Sequence, residues 1–285
     1  MSYTTLITTD ELASQQDNSW VVVDCRYDLR KQESGHEEYC SAHIPGAVYA
    51  SLSKDLSGPP GNVGSRHPIP TAEALISTFS RFGICGDTQV VVYDVDVGMF
   101  ASRMWWMLHY MGHEAAAVLD GGWTKWTREG RSGHTGEETR EPATFSGEPR
   151  DELRFGISDV EACLHDPSTL LIDARDAERF EGANEPIDRT PGHIPGAANH
   201  FFRQNTTNEG VMLSQDALRQ QFVTMMGNRS PDQVVMYCGS GVTACQNLLA
   251  MEYAGLSGAR LYPGSWSEWS SDPEHPVETG PARRR

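Results

Sequence analysis

The chain has 285 residues, enough for two domains of ordinary size, and its 38% apolar content is that of a folded globular protein. A formal charge of −16, from 23 basic and 39 acidic residues, excludes the basic face that nucleic acid or an anionic membrane requires. No apolar run is long enough to cross a bilayer, and Met1-Ser2-Tyr3 opens without a signal-type segment, so a cytoplasmic location with no membrane partner is expected.

In chain order, Val21-Val22-Val23-Asp24-Cys25-Arg26 reads as a buried strand ending in an acid, followed by the turn His43-Ile44-Pro45-Gly46-Ala47. Ala72, Leu75, Ile76 and Phe79 have helical spacing, Val90-Val91-Val92 with Tyr93-Asp94 is a second strand, and Gly121-Gly122-Trp123 with Trp126 follows. Arg131 to Arg150 is rich in Gly, Glu, Thr and Pro and reads as a solvated linker. The series then repeats in the same order. Leu170-Leu171-Ile172-Asp173-Ala174-Arg175 is a strand, His193-Ile194-Pro195-Gly196-Ala197 repeats the turn word for word, and Leu218, Phe222 and Met225 have helical spacing. Val234-Val235-Met236-Tyr237-Cys238 matches Val90 to Asp94, and Gly264-Ser265-Trp266 with Trp269 matches Gly121 to Trp126. The chain is therefore a tandem duplication. The expected division is an N-terminal domain over 1–135, a linker over 136–150 and a C-terminal domain over 151–285. Short apolar strands alternating with helices predict an α/β fold, with parallel sheets flanked by helices and ligands at the carboxyl ends of the strands.

The six cysteines, at positions 25, 40, 85, 163, 238 and 245, form no C-x-x-C pair and no zinc spacing, so neither a disulfide framework nor a structural metal is expected. Cys25, Cys85 and Cys163 sit in apolar context and read as small buried residues. Cys238 differs. It ends a strand, opens the loop Gly239-Ser240-Gly241-Val242-Thr243 and precedes the good helix former Ala244 to Met251. Loop N–H groups and a helix N-terminus can surround such a sulfur and favour the thiolate. The first copy carries Asp94 at that place, so only the second copy is expected to be catalytic through a cysteine.

The loop Cys238 to Ala244, the twice-repeated His-Ile-Pro-Gly-Ala and Gly264-Ser265-Trp266-Ser267-Glu268-Trp269 resemble the tandem-domain rhodaneses, specifically the 3-mercaptopyruvate sulfurtransferase group, over nearly the whole chain. The resemblance implies a five-stranded parallel sheet in each domain, a persulfide on Cys238 as the intermediate, and no cofactor or metal. Thiosulfate-using relatives place basic residues directly after the cysteine; here Gly239 and Ser240 stand there, which points to mercaptopyruvate, with thiosulfate:cyanide transfer as the alternative. Arg179, in Arg179-Phe180, and Arg189, after Glu185-Pro186, match arginines that grip the substrate's carboxylate and carbonyl oxygens, although the gap between them is one residue longer than the pattern of the animal enzymes. Gly239, Gly241, Val242 and Thr243 complete the substrate loop.

The resemblance further implies a proton relay of Ser240, His67 and an aspartate from the first domain. Strict alignment places Ser53 at the acid position, so Asp55 is the substitute, with a helix-cap or loop role as its other reading. His43 and His193 recur in both copies and read as structural, bonded to backbone near the turn. Trp105, Trp106, Trp266 and Trp269 read as packing aromatics. The expected partners are a small anionic sulfur donor and a thiol acceptor such as thioredoxin, or cyanide. A cysteine phosphatase would need arginine six residues after Cys238, where Ala244 stands. A non-catalytic double-rhodanese module, with Cys238 and Cys245 as a redox switch, is the other alternative; the intact loop and Arg179 argue against it.

Overall fold

The computed structural model describes residues 2–15, 19–59 and 64–282. It divides into two compact units. Unit 1 comprises Met1–Gly58, Ile69–Arg150 and Thr206–Met212; unit 2 comprises Pro59–Pro68, Asp151–Asn205 and Leu213–Arg285. The boundary between the two large blocks falls at Arg150/Asp151, and each unit also takes a short segment from the other half of the chain.

Unit 1 runs β1 (Leu6–Ile7), α1 (Thr9–Ser14), β2 (Val21–Asp24), α2 (Ser34–Ser41), β3 (Val48–Tyr49), α3 (Ala72–Arg81), β4 (Val90–Tyr93), α4 (Ala101–Tyr110), β5 (Ala116–Leu119) and α5 (Gly122–Arg128). All its strands are parallel, in the order β1-β5-β4-β2-β3. β2, β4 and β5 are buried along their whole length, as strands of a sheet covered on both faces are, which is why they read as continuous apolar runs. The helices have local starts: a capping box of Thr8 and Glu11 opens α1, and the Thr71 hydroxyl accepts the Ala74 N–H at 3.3 Å to open α3, which buries Leu75 and Phe79.

Unit 2 repeats the plan with α6 (Ile157–Cys163), β6 (Leu170–Asp173), α7 (Ala177–Glu181), β7 (Ala198–Asn199), α8 (Gln215–Met226), β8 (Val234–Tyr237), α9 (Ala244–Tyr253), β9 (Arg260–Leu261) and α10 (Ser265–Trp269). Its sheet is parallel, in the order β7-β6-β8-β9. The expected fifth strand is reduced to one parallel bridge, Arg154 to Leu261, because Asp151–Leu153 coils into a 3-10 turn and leaves a single residue to pair with β9. Among the described residues no helix is long and apolar enough to cross a membrane.

The duplication extends to side chains. Asp24 at the end of β2 pairs with Arg26 at 2.6 Å, and Asp173 at the end of β6 pairs with Arg175 at 2.6 Å. Arg26 lies over Trp123 at 5.0 Å and Arg175 over Trp266 at 4.9 Å. The Tyr93 hydroxyl accepts the Ile44 N–H at 3.1 Å, and the Tyr237 hydroxyl accepts that of Ile194 at 3.3 Å. These tyrosines lock each His-Ile-Pro-Gly-Ala turn to the strand end beside it. Removing one partner of either buried Arg–Asp pair would strand a charge, at a cost of about 3–5 kcal/mol.

The stretch 136–150 carries no helix or strand, as its composition predicts, yet it is not simply solvated. Phe145 is buried edge-on against Phe79 at 5.1 Å, and the Ala143 N–H donates to the Ser80 carbonyl at 2.9 Å. The aromatic contact and the backbone N–H bonds to Ser80 together hold the segment to unit 1. The four tryptophans read as packing aromatics, Trp105, Trp106, Trp266 and Trp269, are all buried. Cys25 is buried, but Cys163 is only half-buried and Cys85 is exposed: Gly86, with φ +46°, turns the chain outward there.

Candidate active site

Cys238 follows β8 directly and is 2% exposed. Three hydrogen bonds staple its backbone and that of Gly239 to α10. The Cys238 N–H donates to Ser265 Oγ at 3.1 Å, its carbonyl accepts the Trp266 N–H at 2.9 Å, and the Gly239 carbonyl accepts the Ser267 N–H at 2.9 Å. Ser265 is the one non-glycine residue with positive φ among the described residues, at +56°; its hydroxyl also donates to the Tyr262 carbonyl at 2.9 Å. Its counterpart in the first copy is Gly122, at φ +54°. A side chain in this strained conformation earns its place by holding the cysteine's N–H.

Gly241 closes the loop at φ +73°, where a Cβ would stand 2.4 Å from the Pro263 carbonyl, so only glycine fits. The loop then curls around the sulfur. Burial pushes the Cys238 thiol up, but hydrogen bonds from the Thr243 hydroxyl and the Ser240 and Ala244 N–H groups outweigh it, and the net shift is below the ordinary thiol value. Thr243 precedes α9 without capping it, which leaves its hydroxyl for the sulfur. Val242 is buried beneath the loop.

Two guanidinium groups lie beside the cysteine. A Cβ on Gly239 would meet Arg66 Nη2 at 3.0 Å and Arg179 Nη2 at 3.3 Å. Arg179 is set by α7: its N–H caps onto Asp176 at 3.0 Å, Nε pairs with Glu185 at 3.0 Å and Nη2 with Asp188 at 3.0 Å. Arg66 pairs with the other oxygen of Asp188. Burial and the neighbouring Arg179 lower its pKa, whereas Cys238 and Glu185 pull the other way. Glu185 is held in turn by Arg175 at 3.1 Å. Two acids thus fix two arginines over one glycine, holding their planar N–H donors beside the cysteine loop.

His67 Nδ1 lies 2.8 Å from Ser240 Oγ. Its segment is tied down by the Arg66 N–H donating to Ser267 Oγ at 3.2 Å and by Ser65 Oγ donating to the Pro263 carbonyl at 3.4 Å. Residues 59–68 come from the first half of the sequence but are part of unit 2.

Comparison with known proteins settles the family. The sequence matches the rhodanese-like domain over residues 8–129 and again over 157–272. The chain belongs to the rhodanese-like family. A probable 3-mercaptopyruvate sulfurtransferase of Pseudomonas aeruginosa is 42% identical over 98% of this chain and 100% of its own. A putative thiosulfate sulfurtransferase, SseB, of Mycobacterium tuberculosis is 37% identical over 97% and 98%. Among solved structures, the 3-mercaptopyruvate sulfotransferase SseA of Escherichia coli aligns with TM-score 0.80 at 30% identity, over 93% of this chain and 100% of that one. The 3-mercaptopyruvate sulfurtransferase of Leishmania major gives TM-score 0.82 at 29% identity, over 93% and 74%.

Of the residues expected at this rhodanese-like site, the structure brings together Cys238, Ser240, His67, Arg179, Gly239, Gly241, Val242 and Thr243. Two others stand apart. Arg189 is exposed and makes no ion pair with the described residues; Arg66 occupies the second position over Gly239. Asp55 has its carboxylate engaged by Arg81 and by the Ser51 N–H at 2.8 Å, which is the turn-closing role. Arg66 was not anticipated, although its place beside His67 in a short Arg-His-Pro segment was the available signal.

In the first rhodanese-like copy the equivalent loop holds the Asp94 carboxylate, which accepts the N–H groups of Gly98 at 3.0 Å, Phe100 at 2.7 Å and Ala101 at 3.2 Å. Burial raises its pKa to about 6 against the pull of those donors. The anion cradle survives there, filled by its own side chain. Among the described residues, the groups of histidine, cysteine and acid close enough to hold a metal ion belong to unit 1.

Proposed function

We propose that this chain is a sulfurtransferase that moves the sulfur of 3-mercaptopyruvate, through a Cys238 persulfide, to a thiol or cyanide. The observation that carries the reading is the buried Cys238 sulfur, hydrogen-bonded by Thr243, Ser240 and Ala244, with Arg66 and Arg179 beside Gly239. The arginines bind the donor's carboxylate. Cys238 thiolate attacks the donor sulfur, an S–S bond forms, and the C–S bond breaks with its electron pair passing to carbon as the pyruvate enolate. Ser240, bonded to His67, delivers the proton that makes pyruvate. The loop N–H groups hold the persulfide until an acceptor thiolate attacks the outer sulfur and returns Cys238 as thiolate.

Thioredoxin is the acceptor we favour, in the cytoplasm, where a reducing poise would keep Cys238 available as a thiolate. The two arginines place guanidinium N–H donors beside Gly239, which supports thiosulfate as a secondary donor. We assign the first copy, with Asp94 in its loop, a non-catalytic role. The deciding assay incubates the protein with 3-mercaptopyruvate and a thiol and measures pyruvate and sulfide. Rapid turnover that Cys238→Ser abolishes, and that exceeds turnover with thiosulfate, supports the reading; activity surviving in Cys238→Ser overturns it.

A further inference from the structure

The histidine of the first His-Ile-Pro-Gly-Ala turn does something its repeat cannot. His43 is wholly buried, and its Nδ1 lies 2.8 Å from the Tyr39 carbonyl. A carbonyl only accepts, so Nδ1 carries the hydrogen and Nε2 of the neutral ring carries a lone pair. That Nε2 has no hydrogen-bond partner among the described residues. It faces a carboxylate, Glu138 Oε1, at 3.8 Å. The same oxygen lies 2.5 Å from His134 Nδ1. The three ligand atoms lie within 4.8 Å of one another, and at 2.5 Å His134 Nδ1 donates to the carboxylate a proton that a bound cation would replace. A lone pair buried against a carboxylate is unfavourable unless a proton or a metal ion stands between them.

The surroundings hold these groups in place. His43 and His134 are an antiparallel bridged pair, with N–H to carbonyl distances of 2.9 and 2.8 Å, so their side chains project from the same face. The Tyr39 ring stacks on His43 at 4.3 Å, and its hydroxyl accepts the Glu138 N–H at 2.9 Å and donates to the Ala47 carbonyl at 2.9 Å. A histidine whose far N–H is anchored on a backbone carbonyl is the usual support of a metal ligand.

We propose that His43, His134 and Glu138 form a site for one divalent cation of borderline character, zinc foremost, with water in the fourth position. Two imidazoles and one carboxylate suit zinc, nickel or copper and are poor ligands for magnesium or calcium. The second copy is an internal control. His193 is anchored in the same way, Nδ1 to the Phe180 carbonyl at 2.7 Å, but its bridged partner is Glu278 rather than a histidine. Its Nε2 and Glu278 Oε2 are 4.0 Å apart, and no third ligand joins them among the described residues. The expectation is one cation per chain. Bound there, it ties the segment after α5 to the end of α2.

The test uses the untagged full chain carrying Cys238→Ser, stripped by a chelator and titrated calorimetrically with Zn2+ and with Mg2+. One equivalent of Zn2+ and no Mg2+ should bind. Co2+ should give the visible bands of a tetrahedral nitrogen–oxygen site without a thiolate charge-transfer band. His134→Gln and Glu138→Gln, on side chains 64% and 29% exposed, should keep the fold by circular dichroism and weaken binding by at least about tenfold, whereas Glu278→Gln should not change it. Absence of saturable binding, or binding unaltered in both variants, overturns the proposal. A thiolate band would do the same by moving the cation to the neighbouring His36, Cys40 and Glu137.

Discussion

His67 Nδ1 stands 2.8 Å from the hydroxyl of Ser240, two residues after the cysteine that takes the sulfur. The pair matters only where a proton must be delivered. Pyruvate leaves as a carbon anion and needs one; sulfite, the leaving group from thiosulfate, does not. His67→Gln and Ser240→Ala should therefore lower kcat with 3-mercaptopyruvate by about a hundredfold while leaving persulfide formation from thiosulfate nearly unchanged. Stopped-flow loading with each donor separates the two.

The sulfur's own acidity should depend on Thr243. Its hydroxyl is the largest of the contributions that hold the Cys238 thiol below its ordinary value against burial. Thr243→Val should move the pH midpoint of alkylation by iodoacetamide upward, with the thiolate form lost first at neutral pH.

Recognition of the donor carboxylate should divide unequally among the arginines. Arg66→Ala should raise KM for 3-mercaptopyruvate about tenfold or more, and Arg66→Lys should recover little, because a point charge cannot replace the planar fork. Arg189→Ala, at an exposed position, should change KM by less than about twofold.

Gly241→Ala tests the loop's shape. At φ +73°, with the Pro263 carbonyl 2.4 Å from the new Cβ, the substitution should cost about 1–3 kcal/mol in denaturant unfolding and abolish turnover by displacing Ser240 and Thr243.

Asp94 should make unit 1 lose stability as pH rises from about 4 through 6. Its pKa is raised from 3.8 to about 6 on folding, so the folded state holds the proton over a range where the unfolded chain has released it. Its contribution is complete below about pH 4 and is lost as pH rises through 6, on the order of 3 kcal/mol in all. Asp94→Asn should flatten the thermal stability profile across that interval.

Most of this was legible from residues. The repeated turn and strand motifs gave the two copies, because parallel strands buried on both faces must be apolar throughout and end in recognisable acids such as Asp24 and Asp173. Cys238 and its glycines declared the loop. Arg66 escaped because a residue from the first half of the chain reaches the loop through tertiary structure, which no spacing encodes. Asp55 is the converse case: its nearness in sequence to the expected acid position carries no information about Arg81, with which it pairs in the structure. Cys85 looked buried from its apolar neighbour Ile84, yet the turn at Gly86 sets it on the surface.

The grouping of residues 59–68 with unit 2 bears on how such a protein can be shortened. A gene cut at codon 151 would encode Cys238, Ser240 and Arg179 but neither His67 nor Arg66. Its product would keep the nucleophile and lose both the proton donor's partner and half of the carboxylate grip. The site is thus written in two separate stretches of the sequence, and no single cut between the copies keeps it whole.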